Sequence, residues 1–197
     1  MSPKVVATRD SIAQAAFEIV REEGHEALTV RHIAERLSCS TQPLLYHFKS
    51  IKEIRRAAYE IADAFHTGYI TDLQGSYPDP MLELGMRYLR FGHDEPHLFR
   101  FLFQTNEYAG RDLLSLNDDE NLAPVIDVLQ QAAGLDRSEA KLVFTTLAVM
   151  AHGYASLMAN NAMPFNEELA NQLLVNAFVG AVTPSDALLD QSGNQEG

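Results

Sequence analysis

Apolar residues recur at intervals of three and four through most of the chain, which is the spacing of one face of an α-helix. Ile12, Ala16, Ile19 and Val20 place a first helix over residues 8–23, and Glu23-Gly24 ends it. Ile33, Ala34 and Leu37 mark a short helix over 31–37 with Thr29 as a good N-cap, and Ser38-Cys39-Ser40 interrupts it. A second short helix follows, with Ser40 as its cap, Pro43 in the first turn, where a missing N–H costs nothing, and Leu44 and Phe48 on its buried side. Residues 50–74 predict one long helix through Ile54, Ala57, Ala58, Ile61, Ala62 and Phe65. Gly75-Ser76-Tyr77-Pro78-Asp79-Pro80 must break it, because two prolines cannot continue a helix.

Beyond the break every periodic segment reads as helix. Residues 81–92 carry Leu82, Leu84, Tyr88, Leu89 and Phe91; Asp94 or Glu95 then caps a new helix with Pro96 at its first position. Phe99, Phe101 and Phe103 alternate through residues 97–105 as in a strand, but the proline-capped start favours helix. After a polar stretch at 117–121, residues 123–133 form a helix ended by Gly134. Asp136 and Glu139 make a capping-box pattern that opens the longest apolar helix, 142–161. The last helix, 166–182, stops at Thr183-Pro184, and residues 185–197 read as a polar, disordered tail. The expectation is an all-α protein with an N-terminal unit at 1–49 and a larger helical domain at 50–184.

Composition fits a soluble globular chain of 197 residues, 46% of them hydrophobic. No apolar run approaches 18 residues and MSPKVVATRD lacks the apolar core of a signal peptide, so the expected address is cytoplasmic with no membrane partner. The single cysteine, Cys39, makes no internal disulfide and reads as a small buried residue. The net charge of −12 is unevenly spread: residues 1–60 carry nine Lys/Arg against eight Asp/Glu, and residues 61–197 six against nineteen. An acidic body repels polyanions everywhere except near the almost neutral N-terminal end.

That end carries the most specific pattern. Two short helices joined by a three-residue turn form a helix-turn-helix, whose second helix reads DNA in the major groove. Thr41, Gln42 and Leu45 offer a hydroxyl, an amide and an apolar group for base edges, while Tyr46 and His47 supply donors for phosphates. The order over residues 8–60, a helix, then Gly24...Thr29-x-x-x-Ile33-Ala34, a turn, and Tyr46-His47-Phe48, resembles the tetracycline-repressor (TetR) family of bacterial one-component transcription regulators. Two positions depart from the family pattern: Leu45 stands where a tyrosine is common, and Ile51, with Lys52 next, stands where a lysine is common. The resemblance implies base contacts from Arg31, Thr41, Gln42 and Leu45, and backbone contacts from Thr29, Tyr46, His47, Lys49 and Lys52. It also implies an arm at 1–7, with Lys4, that can reach the minor groove or backbone; a disordered terminus is the plainer reading of the same residues.

Residues 80–180 are similar to a TetR subgroup whose C-terminal domain is named for a Trp-His-Gly signature. Here His152-Gly153 stands in VMAHGYASL, and YLRF and PHLFRFLF lie upstream, although the chain has no tryptophan. The family implies a homodimer on a pseudo-palindromic double-stranded operator, with repression released by a small-molecule effector. Tyr88, Phe91, Phe99, Phe103 and His152, with Arg100 if it turns inward, are the candidate pocket for an apolar or aromatic effector. Ala148, Ala151, Ala155 and Ala159 in one long helix, and Leu173, Leu174, Ala177 and Ala181 in the last, are the expected dimer faces.

No enzyme is expected. Glycine-rich nucleotide loops, nucleophile elbows and zinc-protease patterns are missing, and no cofactor is implied. His93 and His97 have the spacing of a helical metal pair, but Pro96 between them divides the face. The competing class is an all-helical scaffold or adaptor that binds protein without specific DNA recognition.

Overall fold

The computed structural model describes residues 7–104 and 122–183. The terminal arm at 1–6, the polar stretch at 117–121 and the tail at 185–197 lie outside the described residues. Within them the chain is built from helices: α1 Arg9–Glu23, α2 Val30–Arg36, α3 Thr41–His47, α4 Ile51–Thr71, α5 Pro80–Asp94, α6 Pro96–Phe103, α7 Ala123–Ala133, α8 Arg137–Asn161 and α9 Glu167–Val182. A single 3-10 turn, His25–Ala27, separates α1 from α2. The alternating phenylalanines of 99–103 are helical, as the proline start requires.

Local chemistry sets most of the ends. Thr8 and Ser11 cap each other at the start of α1, with bonds of 3.1 and 2.9 Å between side chain and backbone. Thr29 caps α2, Asp136 and Glu139 make the reciprocal box on α8, and Asn166 caps α9. Gly134 closes α7 in the left-handed conformation. Two expected caps are different. Ser40 occupies the N-cap position of α3 without a side-chain bond, and Glu95, at the start of α6, turns its carboxylate to Arg21 Nε at 2.9 Å instead. The ion pair with a neighbouring helix outcompetes the local cap because it also neutralises Arg21.

The core begins in α1 and runs without a break into the C-terminal helices. Ile12, Ala16, Ile19 and Val20 are fully buried with Ile33, Leu44 and Phe48, and the same cluster continues through Ile54, Ala58 and Ala62 of α4 to Leu89, Phe99, Ala155 and Leu174. A satellite cluster of Ile126, Leu129, Ala140 and Val143 fixes α7 against α8. Cys39 is half-buried and free.

Helix α8 corrects two sequence expectations. By length and composition it is apolar enough to cross a membrane, which a search for an unbroken apolar run missed because Thr145, Thr146, His152 and Gly153 punctuate it. It serves as a core helix here, packed against α5, α6, α7 and α9. Three of the four alanines expected at a dimer face do not face outward: Ala151, Ala155 and Ala159 are buried against the same chain, and Ala148 is half-buried. The reason is close packing with α5, since a Cβ added at Gly92 would meet the Ala155 Cβ at 2.7 Å. The face left to solvent carries Leu142, Val149 and Leu157 instead. On α9 Leu174 is buried and Leu173, Ala177 and Ala181 are half-buried, while Val175 and Val179 are exposed.

The Gly92 contact yields a stability prediction. Gly92→Ala should destabilise the protein by about 1–3 kcal/mol, as overpacking does, despite the better helix propensity of alanine. Urea unfolding checks it, and a variant as stable as the parent would contradict the tight α5–α8 approach.

Candidate functional site

Helices α2 and α3 owe their relative orientation to the turn between them. Ser38 takes a left-handed φ of 51°, and the Cys39 N–H donates to the Ala34 carbonyl at 2.9 Å. Leu44 and Phe48 anchor α3 in the core, so its opposite side must face solvent. Thr41, Gln42, Leu45 and Tyr46 are exposed there, Tyr46 by 86%. His47 is half-buried, and its carbonyl accepts a bond from Arg9 Nη1 at 3.0 Å. Arg9 also lies over the Phe48 ring at 4.2 Å from its centroid, fastening α1 to the end of α3. Sequence reasoning missed Arg9 because its role depends on a contact 38 residues away.

The cations around this face differ in availability. Arg31 is exposed but paired to Glu35 at 2.8 Å, and Arg36 is bound by Glu22, which raises its pKa. Thr29 spends its hydroxyl oxygen on the His32 N–H at 3.1 Å, leaving its own proton to donate. Lys49 and Lys52 are exposed and stand outside the ion pairs made among the described residues, and the Ser50 cap of α4 fixes the start of the helix that carries Lys52. The arrangement offers a short helix with exposed hydroxyl, amide, apolar and phenol groups and two lysines at its trailing end.

A second constellation lies deeper. Tyr88 and His152 are joined by a 2.9 Å hydrogen bond between the hydroxyl and Nδ1, and His152 packs against Phe99 and Phe103 at 5.3 and 5.8 Å between ring centroids. Phe91 and Phe99 are fully buried, whereas Tyr88, Phe103 and His152 are half-buried. Four of the six predicted pocket residues therefore meet one another, while the Phe91 ring packs against Phe65, His66 and Tyr69. Arg100 has other partners: its guanidinium donates to the Ala159 carbonyl and, at 2.8 Å, to His97 Nδ1, beside an open cleft of about 520 Å³ that it shares with His93 and Met158. His93 and His97 end up on different helices, His93 bound to Asp94 at 2.8 Å.

The residue that completes the ring group is His66 of α4, which sequence reasoning passed over. It is 8% exposed and meets Phe91, Phe103 and Tyr88 edge to face at 4.7, 5.1 and 5.7 Å. Its Nε2 is buried without a hydrogen-bond partner among the described residues, a state that costs about 1–3 kcal/mol. Burial pushes its pKa down to about 4, so the imidazole is neutral at pH 7; burial also lowers that of His152. The available signal was periodicity, since His66 continues the four-residue repeat of Ile54, Ala58 and Ala62.

Comparison with known proteins agrees with this architecture. Residues 12–58 match the family model described as bacterial regulatory proteins, tetR family, and residues 81–178 match a tetracyclin repressor-like C-terminal domain. A transcriptional regulator from Rhodococcus sp. Rha1 superposes with a TM-score of 0.62 at 16% identity, over 89% of this chain and 96% of that one. A TetR-family transcription regulator from Marinobacter aquaeolei VT8 gives 0.59 at 16% identity, over 87% and 93%. No curated protein matches the chain in sequence. A DNA-reading helical head on a helical body defines the class, and the chain belongs to the TetR family of transcription regulators. It is a DNA-binding regulator and not an enzyme.

Neutral burial of His66 makes stability depend on pH in one direction. Below pH 6.5 the unfolded chain takes up a proton that the folded His66 refuses until about pH 4, so stability falls as the pH falls through that window. The difference amounts to about 3 kcal/mol by pH 4. Urea unfolding at pH 7 and pH 4 should show His66→Leu losing that much less than the parent; an equal loss would contradict the burial of a neutral imidazole.

Proposed function

We propose that the protein is a ligand-responsive repressor that binds a pseudo-palindromic operator as a homodimer. The head is residues 1–49, and residues 50–184 form the effector and dimerisation domain. The observation that carries the reading is α3 itself: its apolar side is locked by Leu44 and Phe48 while Thr41, Gln42, Leu45 and Tyr46 stand free in solvent. Exposed leucine and tyrosine on a short helix are costly in isolation and useful against a thymine methyl and a phosphate. Arg31, Thr41, Gln42 and Leu45 read base edges; Thr29, Tyr46, His47, Lys49 and Lys52 hold the backbone. The departure of Arg31 from Glu35 is the one rearrangement this requires.

One such helix spans too few base pairs for discrimination, so two must act roughly 34 Å apart. The exposed apolar residues Leu142, Val149 and Leu157 of α8, with Val175 and Val179 of α9, support a four-helix interface between two copies. Gly153 and Gly180, each with open space where a Cβ would stand, permit close approach there. The effector is an apolar or aromatic small molecule held by Tyr88, Phe91, Phe99, Phe103 and His152. Arg100 stays outside unless it leaves Ala159 and His97. A ligand favouring the DNA-incompetent state about 100-fold shifts the balance by roughly 2.7 kcal/mol. No cofactor takes part, and the cytoplasm is the place of action.

Base and phosphate contacts predict different losses. Gln42→Ala should cost about 1–3 kcal/mol per head on the operator and little on random duplex. Lys49→Ala should weaken both and flatten the salt dependence by about one unit per head. Binding titrations at several salt concentrations measure both, and equal losses of Gln42→Ala on the two duplexes would remove its assigned role. For assembly, Leu157→Glu should convert a dimer to a folded monomer at micromolar concentration by sedimentation. A dimer that survives with Leu157→Glu and with Val149→Glu would place the interface elsewhere.

A further inference from the structure

Three half-buried members, Tyr88, Phe103 and His152, leave one side of the ring group toward solvent, and His66 Nε2 lies beneath them without a partner. A leucine on the same α4 stripe would fill the space without leaving an unpaired nitrogen. Phe103 is the last residue of α6 and touches both imidazoles, at 5.1 Å from His66 and 5.8 Å from His152. Its half-buried ring is thus the group that a ring-sized ligand would displace to come between them. The polar atoms facing that place are uncharged: His66 and His152 are neutral by burial, and Tyr88 shares its hydroxyl with His152. The cation of α6, Arg100, is held by Ala159 and His97. Among the described residues none there compensates a carboxylate or an ammonium, and burying either unpaired is prohibitive.

We infer that His66 is an effector-binding residue whose Nε2 forms the hydrogen bond to an uncharged, ring-sized ligand carrying a hydroxyl group. The inference rests on the effector site assigned above. A hydroxyl both donates and accepts, so it satisfies Nε2 in either tautomer of the imidazole, which a carbonyl or an amine does less well. The bond would be made to α4, the helix that starts at the DNA head, so occupancy acts directly on the element that positions α3.

The test uses 4-ethylphenol and its near-isostere 4-ethyltoluene, which differ by a hydroxyl in place of a methyl. Dissociation constants are measured on the full-length protein labelled with ¹⁵N at histidine, following the His66 Nε2 resonance. The expected result is at least tenfold tighter binding of 4-ethylphenol, with a shift of the His66 Nε2 signal that 4-ethyltoluene does not produce. His66→Leu and His66→Phe, each checked for helical content, should reduce the preference to less than threefold. Equal binding of the two compounds, or a preference kept in both variants, overturns the role of His66 while leaving the effector site in place. Failure of both compounds to bind the parent protein, with every histidine resonance unmoved, overturns the effector site and this inference with it.

Discussion

The buried stripe of α4 is the constraint on which the remaining structure depends. Ile54, Ala58, Ala62 and His66 follow one another at intervals of four, and all are shielded from solvent. Two small residues in the middle let α1 come close on one side and α5 and α6 on the other, so the DNA head and the body share one core. Specific contacts hold that junction. Arg21 binds Glu95, the Arg55 guanidinium donates to the His25 carbonyl at 3.3 Å, and the Tyr59 hydroxyl donates to the Leu102 carbonyl at 3.4 Å. His25 stacks on Phe101, and Gly24 has a φ of 90° where a Cβ would lie 3.0 Å from the His97 ring. A change at His66 is therefore separated from the head by about 24 Å of rigid helix and not by a flexible linker.

Helical order was legible because each segment carries a period and most carry a cap. Thr29, Gly134, Asp136 and Asn166 mark ends through groups that act within a turn of their own position. The failures involve choices that a single helix does not contain. Helix α8 is apolar on two sides, and the close approach of Gly92 in α5 favours turning the alanines inward and Leu142, Val149 and Leu157 outward. Glu95 looks like a cap until Arg21 is brought beside it, and Arg100 looks like a pocket cation until the Ala159 carbonyl is. His66 has no motif; its meaning comes from three rings supplied by α5 and α6.

The exposed face of α3 was legible for a different reason. It combines a strong local pattern with exposure that follows from the burial of Leu44 and Phe48 alone. Electrostatics then narrows it further. Arg21, Arg31 and Arg36 are each paired with a glutamate and Arg9 lies over Phe48, so among its described residues the head presents few free cations. With an acidic body behind it, such a head is expected to hold random DNA weakly, which shifts the weight of the proposed affinity to base contacts.

The measurement closest to the central claim is selection of bound duplexes from a random pool by the purified full-length protein at physiological salt. The account predicts enrichment of two copies of one short half-site, related by twofold symmetry and centred about one helical turn apart or a multiple of it. Recovery of unpaired single sites, or of no enriched sequence at all, would contradict it.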